Sequence, residues 1–167
     1  VFWSYLRHGF RLLLDWLPEN LFALITGLAG GELLRLLVSL IPLPVEDPNL
    51  TIYPEQFAFA PAATVFILVV LIPLVEEPLF RGVLFTTARN YSRVLGYVLS
   101  VGVYALYCAA QFVYIYGELD LRYLLLTVQY LPVALGLTWC YDRGGSIWSA
   151  IALHMLFNGF TLVGALR

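Results

Sequence analysis

The sequence predicts an all-α membrane protein in which about five helices cross the bilayer. Hydrophobic residues make up 61% of the 167 residues, and the mean hydropathy is +0.85. Only 12% of the residues are charged, against about 25% in a soluble domain. Long apolar runs recur along most of the chain. Helices satisfy the backbone of such runs inside lipid, so we expect a bundle of spanning helices.

The N-terminal segment, residues 1–20, is predicted to lie at the membrane interface as an amphipathic helix. It mixes aromatic side chains with Arg7 and Arg11, a pattern typical of interfacial helices. Pro18 and Asn20 are predicted to end it. The transmembrane domain is then residues 21–167. Its five spans are predicted at about 21–41, 57–75, 93–116, 121–141 and 146–166, each long enough to cross a core of about 30 Å. A shorter helix is predicted over residues 78–89.

Arginine placement predicts the orientation of these spans. All nine basic residues are arginine, and most of them flank alternate ends of the predicted spans. The loop of residues 42–56 carries acidic residues and no basic one. The positive-inside rule therefore places residues 1–20, 76–93 and 141–145 at the cytoplasmic face. We expect the polar residues inside the bundle to converge in a cavity open toward the cytoplasmic leaflet. The net charge of −2 and the absence of lysine exclude a nucleic-acid-binding role.

The first polar motif is the stretch "EEPLFRG". Glu77 and Arg81 are four residues apart with the carboxylate on the N-terminal side, the better order for a helical ion pair. Glu76 points about 100° away, and Pro78 suits the first turn of a new helix. One interpretation leaves Glu76 free to act as a general base in a cavity. The alternative is that both glutamates only neutralise Arg81 and cap the helix.

The remaining polar residues follow in two later spans. His154 and Asn158, in "SIWSAIALHMLFNG", are four apart and share one helix face. They could hold an oxyanion or simply join two helices by hydrogen bonds. Tyr104 and Cys108 share a face of the third span, with Gln111 nearby. A buried cysteine usually behaves as a small hydrophobic residue.

Together these motifs resemble the CPBP intramembrane proteases, which include the CAAX prenyl endopeptidase. That family carries EExxxR, FxxxH and HxxxN on separate transmembrane helices, and the resemblance spans about residues 70–164. It implies a transmembrane bundle of the CPBP/CAAX-protease type that needs no metal or other cofactor. It further implies that Glu76 activates water, that Glu77 and Arg81 brace it, and that His154 and Asn158 stabilise the oxyanion.

The second motif departs from this pattern, because "YALYC" places Cys108 where the family has histidine. A thiol is a poor base and a weak hydrogen-bond partner, and the loss of one assisting group commonly lowers a rate by ~10²–10⁴. Cys108 could itself be the nucleophile with His154 as its base, or Glu76, Cys108 and His154 could hold a metal. Gln111 could orient the water instead, or the protein could have kept the fold and lost activity.

Two classes of function therefore remain. One is a CPBP-type membrane protein whose proteolysis is impaired or lost and which binds a partner or takes a structural role in a membrane assembly. The other is an active CAAX-type endopeptidase with Glu76 as its base. The substitution at Cys108 favours the first class slightly. The expected partners are the lipid bilayer, together with a peptide or prenylated substrate or other membrane-protein subunits.

Overall fold

The computed structural model describes residues 2–115 and 117–167, and these residues form a helical bundle with one short hairpin. In chain order the elements are α1 (Phe2–Asp15), α2 (Leu17–Ser39), α3 (Asn49–Phe59), α4 (Pro61–Arg89), α5 (Arg93–Ala110), β1 (Tyr114–Ile115), β2 (Glu118–Leu119), α6 (Leu121–Gly144) and α7 (Ile147–Ala165). Five of the helices, α2 and α4 to α7, are long and apolar enough to cross a membrane. The predicted fold class and number of spans are confirmed.

The second span and the short helix predicted after it are one continuous helix. α4 runs for 29 residues, and neither Pro73 nor Pro78 breaks it. The predicted break was wrong because the helix widens into π-helical turns at Phe66–Leu71 and again at Pro78–Phe85. A wider turn shifts the hydrogen-bond register and so accommodates residues that lack an N–H. Glu76 and Glu77 therefore lie in the interior of a span, not beyond its end.

Other boundaries also differ from the prediction. Pro18 does not end the N-terminal helix, because it occupies the first turn of α2, where a proline sacrifices no hydrogen bond. The segment predicted as a loop over residues 42–56 contains the start of α3. The third span ends at Ala110, and the hairpin follows it; residue 116, where that span was predicted to end, lies outside the described residues.

α1 packs its buried side against the beginning of α7. Leu6 contacts Ile147 and Ile151, and the Trp148 indole donates a hydrogen bond to the Leu6 carbonyl at 2.8 Å. The other side of α1 exposes aromatic residues such as Trp3. The helix is therefore amphipathic in the structure as well as in the sequence, and its interfacial location stays a prediction.

Two glycines let the backbones of α2 and α6 come into contact. A Cβ atom added to Gly27 would lie 2.9 Å from Leu153 Cδ2 and 3.0 Å from the Gly136 carbonyl oxygen. A Cβ on Gly136 would lie 2.8 Å from the Gly27 carbonyl oxygen. Small residues permit this close approach of helices in membranes. The contact sets the spacing of the core into which α7 inserts Leu153.

Gly27→Ala should lower the free energy of unfolding by about 1–3 kcal/mol, the usual range for overpacking a core. Gly30→Ala is the matched control, since it lies on the same helix where a Cβ would meet no atom within 4 Å. Alanine there should be neutral or slightly stabilising because of its helix propensity. Thermal unfolding in detergent, followed by circular dichroism, measures both. Equal midpoints for the two variants would contradict the close contact.

Candidate active site

A buried ion pair stands at the centre of the polar site. Arg81 Nη1 donates a hydrogen bond to Glu77 Oε1 at 2.9 Å, and both side chains are fully buried. Arg81 Nη2 donates to the carbonyl oxygen of Ala134 on α6 at 3.2 Å. Its guanidinium carbon lies 4.4 Å from the centre of the Tyr104 ring on α5. The pair predicted from the four-residue spacing is present and joins three helices.

His154 of α7 completes this network. Its Nδ1 lies 2.7 Å from Glu77 Oε1. A carboxylate that already receives the Arg81 hydrogen bond is an acceptor, so Nδ1 carries the proton in this contact. Nε2 lies 3.1 Å from the Tyr104 hydroxyl. Both ring nitrogens of His154 are therefore engaged with protein groups, and the imidazole is buried.

Glu76 is the carboxylate that does not pair with Arg81. It projects away from the ion pair, and its Oε2 atom lies 4.0 Å from His154 Nε2. About 14% of its side chain is exposed, and the Tyr107 hydroxyl of α5 interacts with it. The division predicted from helix geometry, one braced glutamate and one freer glutamate, matches this placement. Glu76 is thus available to a ligand or a water molecule.

Asn158 holds the backbone of α4 at a position where a proline has removed a donor. Ile72 donates its N–H to the Ile67 carbonyl, five residues back, as in a π-helix. In the same register, the Leu68 carbonyl would accept a hydrogen bond from the N–H of residue 73. Residue 73 is proline and has no N–H. Asn158 Nδ2 donates to that Leu68 carbonyl at 2.8 Å. One of its two amide hydrogens is therefore used for structure.

The residues of the alternative interpretations occupy less favourable positions. Cys108 is a half-buried free thiol that lines the same cavity as Glu76. His154 is not presented to it as a base, because Glu77 and Tyr104 take both ring nitrogens. Within residues 2–115 and 117–167, no group of three or more His, Cys, Asp or Glu side chains is arranged to hold a metal ion. Gln111 donates to the Cys108 carbonyl at 2.9 Å and also faces the cavity.

A cavity of about 580 Å³ extends from these residues to one end of the bundle. Its lining includes the site residues Glu76, Tyr104, Tyr107, Cys108, His154 and Asn158. Its lining also includes Arg35 and Ser39 in the last part of α2 and Gln111 just after α5. These positions lie along the bundle opposite Arg89 and Arg143, which stand at the last turns of α4 and α6. The cavity thus lies in the half of the bundle away from Arg89 and Arg143.

Sequence reasoning missed Asp47, which lines the cavity from the segment between α2 and α3. Its Oδ2 accepts a hydrogen bond from the Tyr130 hydroxyl at 2.9 Å, and its Oδ1 accepts one from the Asn49 backbone N–H at 2.9 Å. Burial raises the pKa of Asp47, and these two hydrogen bonds oppose that shift. The segment was predicted to be an external loop, and nothing in its sequence signals that it folds back over the site.

The fold and the site together define a class: a multi-pass helical membrane protein with a carboxylate, a guanidinium and an imidazole beside an intramembrane cavity. The family model for Type II CAAX prenyl endopeptidase Rce1-like proteins matches residues 58–160. The chain belongs to this family, and the matched range contains all of the site residues predicted from the sequence. Comparison with curated proteins found no match, and comparison with solved structures found none either.

Arg81→Gln should lower the free energy of unfolding by about 3–5 kcal/mol, because it leaves the Glu77 charge buried and unpaired. Arg89→Gln is the control: Arg89 is exposed, and its buried partner Asp142 keeps its ion pair with Arg93, so the cost should be about 0–1 kcal/mol. Adding Glu77→Gln to Arg81→Gln should recover part of the loss, since no charge then remains unpaired. Reversible unfolding in mixed micelles provides the measurement. A cost for Arg81→Gln no larger than that for Arg89→Gln would argue against the buried pair.

Asn158→Leu should cost about 1 kcal/mol, the scale of a side-chain hydrogen bond inside a membrane bundle. In a Pro73→Ala background the same substitution should cost less. Residue 73 then has an N–H, so the helix can satisfy the Leu68 carbonyl from its own backbone. The four proteins of this double-mutant cycle can be compared by unfolding in mixed micelles. Equal costs in the two backgrounds would show that Asn158 does not replace the missing proline donor.

Proposed function

We propose that this protein binds a peptide segment in its intramembrane cavity and hydrolyses it slowly or not at all. This proposal rests on the hydrogen bond between the Tyr104 hydroxyl and His154 Nε2. The resemblance assigns His154 to the oxyanion, yet Tyr104 and Glu77 already engage both of its ring nitrogens. Cys108, at the position of the histidine in the family's second motif, supports the same conclusion because a thiol is a poor base.

The cavity supports a binding role. Its volume of about 580 Å³ lies within the range of roughly 300–1,000 Å³ typical of ligand pockets. Apolar side chains such as Ile52, Ile72 and Val133 share the lining with a few polar groups. Such a lining suits an extended peptide with apolar side chains or a prenyl group, the substrate chemistry named by the family. We infer that Glu76 meets the peptide backbone.

Hydrolysis in this site would proceed by a defined proton transfer. Glu76 would take a proton from a water molecule, and the water oxygen would add to the peptide carbonyl carbon. Collapse of this intermediate would break the peptide C–N bond, and Glu76 would return its proton to the leaving amine. The oxyanion of the intermediate needs donors already in place, and each donor of this kind is worth about 10²–10³ in rate. Asn158 retains one amide hydrogen for that purpose. His154 Nε2 would have to be protonated and released from Tyr104 first, so the reaction would be slow.

The second candidate function is an active CAAX-type endopeptidase. The observation that favours it is the position of Glu76, which is free of Arg81, lines the cavity and lies 4.0 Å from His154 Nε2. For the first step, only the carboxylate of the base needs to reach a water molecule. The intact first motif supports this candidate as well.

The orientation of the protein belongs to the same proposal. We infer from the positive-inside rule that the helix ends bearing Arg89, Arg93 and Arg143 face the cytoplasm. The cavity then lies toward the opposite side, since its lining lies in the other half of the bundle. The two sequence predictions, a cytoplasmic arginine face and a cavity open to the cytoplasmic leaflet, therefore conflict. We retain the arginine assignment, because it rests on several loops of the chain.

A cleavage assay with a fluorogenic prenylated CAAX-type peptide, using the full chain in vesicles, separates the two candidates. The unsubstituted chain should cleave little or no faster than Glu76→Gln. Cys108→His should raise the rate by about tenfold or more, because it restores an assisting group, and Glu76→Gln should abolish that gain. Rapid cleavage by the unsubstituted chain, lost in Glu76→Gln, would reverse the proposal in favour of the endopeptidase.

Binding can be measured separately by fluorescence anisotropy of a labelled, uncleaved peptide. Val133→Trp fills part of the cavity and should weaken binding at least tenfold. Val163→Trp, which places the same side chain on an exposed face of α7, is the matched control and should leave binding unchanged. Equal affinities for the two variants would place the peptide outside the cavity.

A further inference from the structure

Tyr104 contacts three members of the buried network at once. Its hydroxyl lies 3.1 Å from His154 Nε2, and the Arg81 guanidinium lies over its ring at 4.4 Å. Phe80 packs edge-on against the same ring, with the centroids 5.0 Å apart. The side chain is almost fully buried. Hydrophobic packing alone would not need a hydroxyl in this position, and burying one without a partner would be costly.

The chain of contacts sets the direction of the hydrogen bond between Tyr104 and His154. Glu77 Oε1 accepts from Arg81 and from His154 Nδ1–H. In a neutral imidazole the other nitrogen then has no proton and can only accept. The Tyr104 O–H is the group within reach that can donate to it. Arg81 already balances the charge of Glu77.

The placement of Tyr104 also bears on the substitution at Cys108. The two residues are four apart and share one face of α5. The family pattern has phenylalanine and, four residues later, histidine, whereas this chain has Tyr104 and Cys108 at those positions. The stronger hydrogen-bonding side chain is therefore at residue 104, one helical turn before residue 108, and both residues line the cavity.

We propose that Tyr104 is a positioning residue whose hydroxyl donates to His154 Nε2, fixes the imidazole as the Nδ1–H tautomer, and leaves Glu76 as the base that faces the cavity. The catalytic role of the imidazole rests on the proposed function, but its tautomer and the dependence of that tautomer on Tyr104 do not. The hydrogen bond from Tyr104 also explains why the resting site offers no N–H from His154 to an oxyanion.

Nitrogen-15 NMR of histidine-labelled full-length chain in detergent micelles tests this assignment without any substrate. A His8→Gln background leaves His154 as the only histidine. We expect a neutral ring at pH 7 with Nδ1 protonated and Nε2 unprotonated and hydrogen-bonded. A spectrum of an imidazolium, or of a ring protonated at Nε2 alone, would overturn the proposal. This spectrum needs no substitution at Tyr104 and stays informative even if variants there fold poorly.

Tyr104→Phe removes only the hydroxyl and should shift the Nε2 resonance toward that of a free acceptor or increase the fraction of the Nε2–H tautomer. Tyr97→Phe is the matched control. It is the same substitution on α5, at a residue whose hydroxyl donates to Asp142 at 3.0 Å, away from the cavity lining. It should leave both nitrogen resonances in place. Identical spectra for the Tyr104→Phe variant and its parent would contradict the positioning role, whatever the outcome of the peptide assays.

Discussion

The buried ion pair between Glu77 and Arg81 is the interaction on which the rest of the site depends. Removing two charges from water costs several kcal/mol for each ion, and a bare pair rarely recovers that cost. Here neighbouring groups offset part of that desolvation cost. The Ala134 carbonyl and the Tyr104 ring meet the guanidinium, and His154 meets the carboxylate. Because these partners come from α5, α6 and α7, the pair sets how three helices pack around α4.

This arrangement engages most polar groups of the resting site with one another, although Glu77 Oε2 and Arg81 Nε have no hydrogen-bond partner among the described residues. The same groups that the family resemblance assigns to an oxyanion are used to complete the protein's own hydrogen bonds. His154 closes the network between Glu77 and Tyr104, and Asn158 supplies the donor that Pro73 removes from α4. A ligand must therefore compete with internal partners before it can use either group. Glu76 is the exception, since it stands outside the network and faces the cavity.

Much of this could be predicted from local sequence, and the remainder could not for identifiable reasons. Apolar runs predict the five spans, and the four-residue spacing of Glu77 and Arg81 predicts their pairing, because both depend only on helix geometry. The continuity of α4 was missed because it depends on two π-helical turns. In one of them the Leu68 carbonyl is satisfied by Asn158, a residue 90 positions away. The hydrogen bond of the Tyr104 hydroxyl could not be predicted either, because its partner His154 lies on another helix.

The length of α4 links the site to the membrane that surrounds it. Its 29 residues would measure about 43 Å at 1.5 Å per residue, whereas the hydrocarbon core of a bilayer is about 30 Å thick. A helix with this excess length tilts, or its ends extend into the headgroup region. Thinner and thicker bilayers would therefore impose different tilts on the element that carries Glu76. The length of the lipid acyl chains would thus change the shape of the cavity by changing the tilt of α4.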